Sequence, residues 1–294
     1  MVHLQIARGC EARAARDVLK TAEHLFASWE RVWRHIVLAE GIILLSDFDG
    51  TLVPLRRHPG DVKMPASLQR LLSRLAKRGT KIGIISGRAI EDVRRRVGVE
   101  GIWYAGSHGY FLRDPRGQAI CLLPPKTASQ MRALSDILGR RFLFASGLEV
   151  EPKDGSVAIH YRRATRARRA WAHETLCEVL AGRPNLRLMR GKKVWEILPE
   201  GAVDKWKAVQ LILDRENFIR GRKLLVYLGD DVTDEVVFRK MRGLSVFVGR
   251  PSRTAAAFYL KSQSEVTQLL HRIEGIIKGE TIMVGMSQGR LGTQ

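Results

Sequence analysis

Short, unbroken apolar runs alternate along this chain with longer segments whose apolar residues recur every three to four positions. Ile42, Ile43, Leu44 and Leu45 form one such run, ending in polar residues and glycine, the pattern of a strand buried on both faces of a parallel sheet. Pro65 and Gly79 then bracket a segment with Leu68, Leu71, Leu72 and Leu75 on one helical face, and Ile82, Ile84 and Ile85 make the next strand. This β-α-β alternation predicts a doubly wound α/β sheet. The rhythm changes in the middle of the chain. Asp114-Pro115-Arg116-Gly117 and Lys153-Asp154-Gly155 are turn chemistry between extended segments, with helical stretches near 127–145 and 164–182. Hairpins imply antiparallel strands, so residues 118–200 read as an inserted α+β domain. The parallel pattern resumes with a helix over 203–216 and strands Leu224–Leu228 and Ser245–Val248, then helical patterns near 253–260 and 264–277.

The expected organisation is therefore a core made of two pieces, 40–117 and 201–278, interrupted by the insert 118–200. Residues 1–39 form a lead-in whose apolar positions, among them Leu19, Leu25, Trp29, Val32, Trp33 and Ile36, have near-helical spacing, and 279–294 is a polar tail. With 45% hydrophobic and 27% charged residues in 294, the composition matches globular proteins, with ample material for a core, and an ordered chain is expected. No stretch approaches the length of a membrane span, and His3, Gln5 and Arg8 break up the start, so the expected location is the cytoplasm, with no membrane partner. Cys10, Cys121 and Cys177 are far apart and suggest neither disulfides nor a zinc site; buried thiols are expected.

The net charge of +20 changes the picture in one respect, since such a field attracts phosphates, nucleic acids and anionic membranes alike. Its densest run, Arg162, Arg163, Arg166, Arg168 and Arg169, reads either as a solvated helix face or as a partner surface.

The candidate chemistry sits where strands end. Asp47-Phe48-Asp49-Gly50-Thr51 follows the first core strand and sets two carboxylates two residues apart at the place where open α/β sheets bind ligands. Asp47 can attack while Asp49 handles a proton, which suits phosphate-ester hydrolysis in two steps; an Asx turn is the structural alternative. Ser86-Gly87-Arg88, after the second strand, can hold a phosphoryl oxygen, or Ser86 can cap a helix. Lys205 opens a helix, where its ammonium either neutralises a phosphoryl group or lies on the surface. Gly229-Asp230-Asp231-Val232-Thr233-Asp234-Glu235 crowds carboxylates at another strand end, which calls for a cation such as Mg²⁺.

These four motifs, in this order, resemble those of the haloacid dehalogenase superfamily. Within it, Gly229 to Glu235, Ser107-His108-Gly109, Glu151-Pro152-Lys153, His160-Tyr161-Arg162 and Glu196 before Pro199 resemble trehalose-6-phosphate phosphatases, over about residues 40–275. The resemblance implies a HAD-like doubly wound core with an inserted α+β cap of the C2 type. It implies Asp47 as nucleophile and Asp49 as acid and base of a Mg²⁺-dependent phosphoric monoester hydrolase, releasing trehalose and inorganic phosphate through an aspartyl phosphate. Ser86 and Lys205 would bind phosphate. Asp47, the Asp49 carbonyl and Asp230 would hold the magnesium, supported by Thr51, Asp231 and Asp234. Arg88, His108, Glu151, Lys153, Arg162 and Glu196 would meet the substrate, although Glu151 and Lys153 can also form a solvent-facing ion pair and His108 can simply cap a loop. Charged, bidentate groups suit a polyhydroxylated sugar because they replace its water.

Three positions depart from the family pattern: Trp206 follows the lysine where glycine is common, Leu198 stands before Pro199 where arginine is usual, and Val236 fills a place often acidic. Sucrose phosphate, glucosylglycerol phosphate and mannosyl-phosphoglycerate are alternative substrates for similar capped folds, and a phosphomutase would share the aspartyl phosphate. A basic nucleic-acid or partner-binding protein is the alternative of a different class, and a nucleic-acid partner is not expected despite the charge. A functional association with a trehalose-6-phosphate synthase also follows from the resemblance.

Overall fold

The computed structural model describes residues 22–56, 62–153, 155–191, 193–199, 204–250 and 253–279. The first strand of the core pattern is β2 (Gly41–Ser46), following β1 (Glu23–His24) and α1 (Trp29–Val37). Alternate residues of β2 point to opposite faces of the sheet. Ile42 and Leu44 enter one apolar cluster, Ile43 and Leu45 another. The continuous apolar run thus reflects burial on both sides. The first cluster is covered by α1, α2 (Ala66–Lys77), α3 (Ile90–Val97) and α8 (Gln263–Ile277), the second by α6 (Lys205–Arg215) and α7 (Glu235–Lys240).

Between these helical layers lies a nine-stranded sheet. Its remaining strands are β3 (Lys81–Ile85), β4 (Trp103–Gly106), β5 (Phe111–Arg113), β6 (Ala119–Cys121), β11 (Lys223–Gly229), β12 (Leu244–Val248) and β13 (Phe258–Leu260), in the order β1-β13-β12-β11-β2-β3-β4-β5-β6. β11 pairs in parallel with one side of β2 and β3 with the other, so the chain switches direction across the sheet at β2. The C-terminal ends of these three strands frame the crevice expected at such a switch point.

The cap is a four-stranded antiparallel sheet, β7 (Glu149–Pro152), β8 (Val157–His160), β10 (Val194–Pro199) and β9 (Leu186–Gly191) in spatial order. Helices α4 (Pro125–Phe142) and α5 (Arg166–Ala181) cover one face, packing Leu134, Leu138, Ala172 and Leu176 on Val157, Ile159, Trp195 and Ile197. Glu196, opposite Ala158, faces the other way. Leu198 packs with Tyr110 and Leu123, joining cap to core.

Several expectations change. The segment near 253–260, expected to be helical, contains β13, whose Phe258 and Leu260 are buried beside β12. Among the described residues of the lead-in, α1 is the helical part. Ahead of it, β1 adds a parallel strand to β13, so residues 22–39 belong to the core sheet and its cover; Leu19 lies outside the described residues, as does the tail beyond 279. β6 falls on the insert side of the boundary drawn at 118, yet it pairs with β5 at the edge of the large sheet. The Asp114–Gly117 turn forms between them, with Gly117 at φ +87 and the Asp114 carboxylate accepting from the N–H groups of Arg116 and Gln118. Cys121 and Cys177 are exposed, not buried, and Cys10 is outside the described residues.

Candidate active site

Asp47 leaves β2 with its N–H on the Leu228 carbonyl of β11, 2.9 Å away, which brings the two acidic loops side by side. Lys205 reaches them from the first turn of α6. Asp204 caps that helix by accepting from the Lys207 N–H at 3.0 Å, which sets the Lys205 stem inward. The Lys205 Nζ donates to Asp47 Oδ1 at 2.8 Å and to Asp234 Oδ1 at 2.7 Å, and all three side chains are buried. Asp234 is further held by the Tyr227 hydroxyl at 2.7 Å and by the N–H groups of Asp230 and Asp231 at 3.1 and 3.2 Å. Thr51 donates to Asp230 Oδ1 at 3.0 Å. Asp231 turns away, accepting from the Thr233 N–H and hydroxyl at 2.6 Å each.

Burial disfavours the Lys205 charge, but Asp234 and Asp47 outweigh it and hold the lysine firmly protonated. One ammonium does not balance the acids around it. Burial pushes the Asp47 carboxyl well above its ordinary range; Lys205 pulls against this, while Asp234 and Asp230 add to it. Asp230 is raised to about 7, by burial and then by Asp234 and Asp231.

Oxygens of Asp47, Asp230 and Asp234 lie within 4.8 Å of one another, so the cluster could hold a divalent metal. Both Asp234 oxygens are already engaged by the lysine, the tyrosine and two N–H groups, which leaves Asp47 and Asp230 as the side chains free to ligate. An all-oxygen donor set without histidine or cysteine suits a hard cation. The loop is shaped for close approach: Gly50 has φ +89, and a Cβ there would lie 2.0 Å from Asp230 Oδ2.

Asp49 is half-buried and gripped by Arg88, Nε to Oδ2 at 2.5 Å and Nη2 to Oδ1 at 2.7 Å. Arg88 Nη1 also donates to Asp92 at 2.9 Å, and Arg96 anchors the same Asp92 oxygen at 2.7 Å. Arg88, expected against substrate, thus sits on the proton-handling candidate. Ser86 is buried at the end of β3, its hydroxyl accepting from the Arg88 N–H at 3.2 Å. It does not cap α3, whose N-cap is Ala89.

The cap contributes Glu196. Lys153 Nζ donates to its Oε1 at 3.2 Å, buried Ser156 donates to the same oxygen, and His108 Nε2 lies 3.4 Å from Oε2. His108, in a 3₁₀ turn at φ +58, therefore links the core to the cap. Burial opposes ionisation of Glu196, but the His108 hydrogen bond and the Lys153 charge outweigh it and hold its pKa at about 2. Glu151 pairs with His160 at 2.7 Å rather than with Lys153. Arg162 is exposed and, among the described residues, makes no hydrogen bond or ion pair with this group. Of the three departures, Trp206 and Val236 pack half-buried against the second core cluster, and Leu198 is buried where cap meets core.

Sequence reasoning missed Asp92, Ser156 and Tyr227. Asp92 was legible as an acid one helical turn from both Arg88 and Arg96. Tyr227 was hidden inside an apolar strand, and Ser156 looked like an ordinary turn residue.

A parallel core with acidic loops at neighbouring strand ends, and an antiparallel cap inserted beside them, defines the haloacid dehalogenase-like class of fold. A profile of the trehalose-phosphatase family matches residues 45–266, and the chain belongs to that family. It is 37% identical over 246 residues to a trehalose-phosphate phosphatase of Mycobacterium avium, covering 77% of this chain and 60% of the relative. Probable trehalose-phosphate phosphatase D of Arabidopsis thaliana is 30% identical over 247 residues, covering 79% and 67%. The chain thus spans about three-fifths to two-thirds of these relatives' length. The fold superposes on the C-terminal domain of a Candida albicans trehalose-6-phosphate phosphatase with a TM-score of 0.71 at 23% identity, over 87% of this chain and 98% of that one.

Proposed function

We propose that this chain hydrolyses trehalose 6-phosphate to trehalose and inorganic phosphate, with core 40–117 and 201–278 supplying the chemistry and cap 118–200 the sugar recognition. The observation that carries the reading is the bridge of Lys205 between Asp47 and Asp234 beside Asp230. The buried ammonium stands where a phosphoryl group would need its charge neutralised.

An Asp47 oxygen attacks phosphorus as the bond from phosphorus to the sugar oxygen breaks, and Asp49 delivers a proton to that leaving oxygen. Asp49, now a carboxylate, takes a proton from water, whose oxygen attacks the phosphoryl group and releases Asp47. Arg88 orients Asp49 in the resting site and yields one of its oxygens as Asp49 carries the proton; Ser86 and Lys205 hold phosphoryl oxygens. Magnesium bound by Asp47, the Asp49 carbonyl and Asp230 would screen the repulsion between phosphate and nucleophile. Glu196, Lys153, His108 and Glu151 meet the sugar hydroxyls, with Arg162 reaching them only if the cap shifts. Thr51, Asp231 and Asp234 keep the acidic loop in shape. The enzyme that makes the substrate, a trehalose-6-phosphate synthase, is the functional partner.

The test is phosphate release from trehalose 6-phosphate, sucrose phosphate, glucosylglycerol phosphate and mannosyl-phosphoglycerate, with magnesium and after chelation. Metal-dependent release highest on trehalose 6-phosphate and abolished by Asp47→Asn is expected. Full activity of Asp47→Asn would sink the nucleophile, and a flat profile would sink the role of the cap.

A further inference from the structure

The outer face of the cap carries an apolar knuckle that no function described so far uses. At the end of α4 the chain turns with Leu143 69% and Phe144 92% exposed, and Trp171 of α5, edge-on to Phe142 at 5.4 Å, is 44% exposed beside them. Exposed aromatic and aliphatic side chains grouped at a loop are the kind of surface that marks an interaction site. The turn is held in place: Arg168 donates to the Ser146 carbonyl and hydroxyl, and Gly147 abuts the Arg163 carbonyl closely enough that a Cβ would lie 2.5 Å from it.

Arginine surrounds the knuckle. Arg140 and Arg141 precede it on α4, and Arg163 and Arg168 flank it from the α5 side. Exposed acids stand on the same elements, Asp136 on α4, Glu149 at the start of β7 and Glu174 and Glu178 on α5, Glu178 3.7 Å from Arg141. Among the described residues, no helix is long and apolar enough to cross a membrane, but a surface contact needs none. We propose that this knuckle is a docking surface for an anionic lipid bilayer, with Leu143 and Phe144 entering the acyl boundary, Trp171 at headgroup depth and the exposed Arg140, Arg141 and Arg163 on lipid phosphates. The exposure of Leu143 and Phe144 favours lipid: a protruding aliphatic and aromatic pair suits insertion, whereas single-stranded nucleic acid is held by aromatic platforms in a groove. The α4 and α5 layer lies on the opposite face of the cap sheet from Glu196, so a docked cap leaves the crevice open to soluble substrate.

The test is co-sedimentation of the full chain with vesicles of phosphatidylcholine alone and of phosphatidylcholine mixed two to one with phosphatidylglycerol, alongside duplex DNA binding and gel filtration. The wild type is expected to sediment with the anionic vesicles only. The double variant Leu143→Ser, Phe144→Ser should lose at least about tenfold in binding, and Arg140→Gln with Arg141→Gln should weaken it and flatten its salt dependence. Since these side chains are exposed, thermal unfolding and phosphate release should stay as in the wild type. Equal sedimentation of wild type and double variant overturns the proposal in favour of unspecific charge attraction. Absent vesicle binding overturns it too, and points to nucleic acid or a second copy of the chain if DNA retention or dimerisation is what the double variant loses.

Discussion

One edge of the Arg88 guanidinium closes on Asp49, Nε on one oxygen at 2.5 Å and Nη2 on the other at 2.7 Å. A forked contact fixes the plane of a carboxylate as well as its position, and lysine cannot reproduce it. Arg88→Lys should therefore lower kcat about 10–100-fold with a much smaller change in KM, because a mispositioned proton donor harms the transition state more than binding. Steady-state kinetics separate this from a substrate-binding role, in which KM would carry the loss.

Lys205 and Tyr227 share Asp234 but not its energetics. Lys205→Met leaves Asp47 and Asp234 buried without their cation and should cost about 3–5 kcal/mol of stability as well as activity. Tyr227→Phe removes one hydrogen bond from an oxygen that keeps Lys205, so about 1 kcal/mol is expected. Urea unfolding of the two variants beside the wild type measures both.

The acidic cluster should bind its cation in competition with protons. With the Asp230 pKa raised to about 7, apparent magnesium affinity should rise as pH increases through that value, with protons released on binding. Gly50→Ala, which puts a Cβ against Asp230 in a backbone conformation that resists side chains, should weaken metal binding at every pH. Calorimetric titration in buffers of different ionisation enthalpy reads both effects.

Glu196 sets an acid limit on the cap. Its folded pKa of about 2 lies below the ordinary 4.5, so its ionised form stabilises the fold above 4.5, and this contribution disappears as pH falls from there towards 2. The full shift corresponds to roughly 3 kcal/mol. Glu196→Gln should be less stable at neutral pH and show a flatter acid limb, as followed by thermal unfolding across that range.

Much of the core was legible because strands buried on both faces leave a signature that survives without an alignment. Ile42–Leu45 and Leu224–Leu228 are apolar for both helical layers at once, and the acids that follow each run were visible by position. The short strands β1 and β13 were not, since two or three residues give no period to count and Phe258-Tyr259-Leu260 fits a helical stripe equally well. Among the candidate residues, loops at strand ends identified Asp47, Asp230 and Asp234, which the fold does bring together with Lys205, and Asp49, which it sets on Arg88 instead. What Arg88 grips, and that Glu151 pairs with His160, depends on side-chain direction across separate elements, which spacing alone does not encode.

The contact between Lys205 and Asp47 joins positions 158 apart, whereas the four cap strands all lie between residues 149 and 199. Nearby segments close at less entropic cost than distant ones, so the cap can assemble locally while β2 still lacks β11. The nucleophile then waits for Lys205 and Asp234 to arrive from the far half of the core. Reactive chemistry is withheld from the growing chain until the far half of the core arrives.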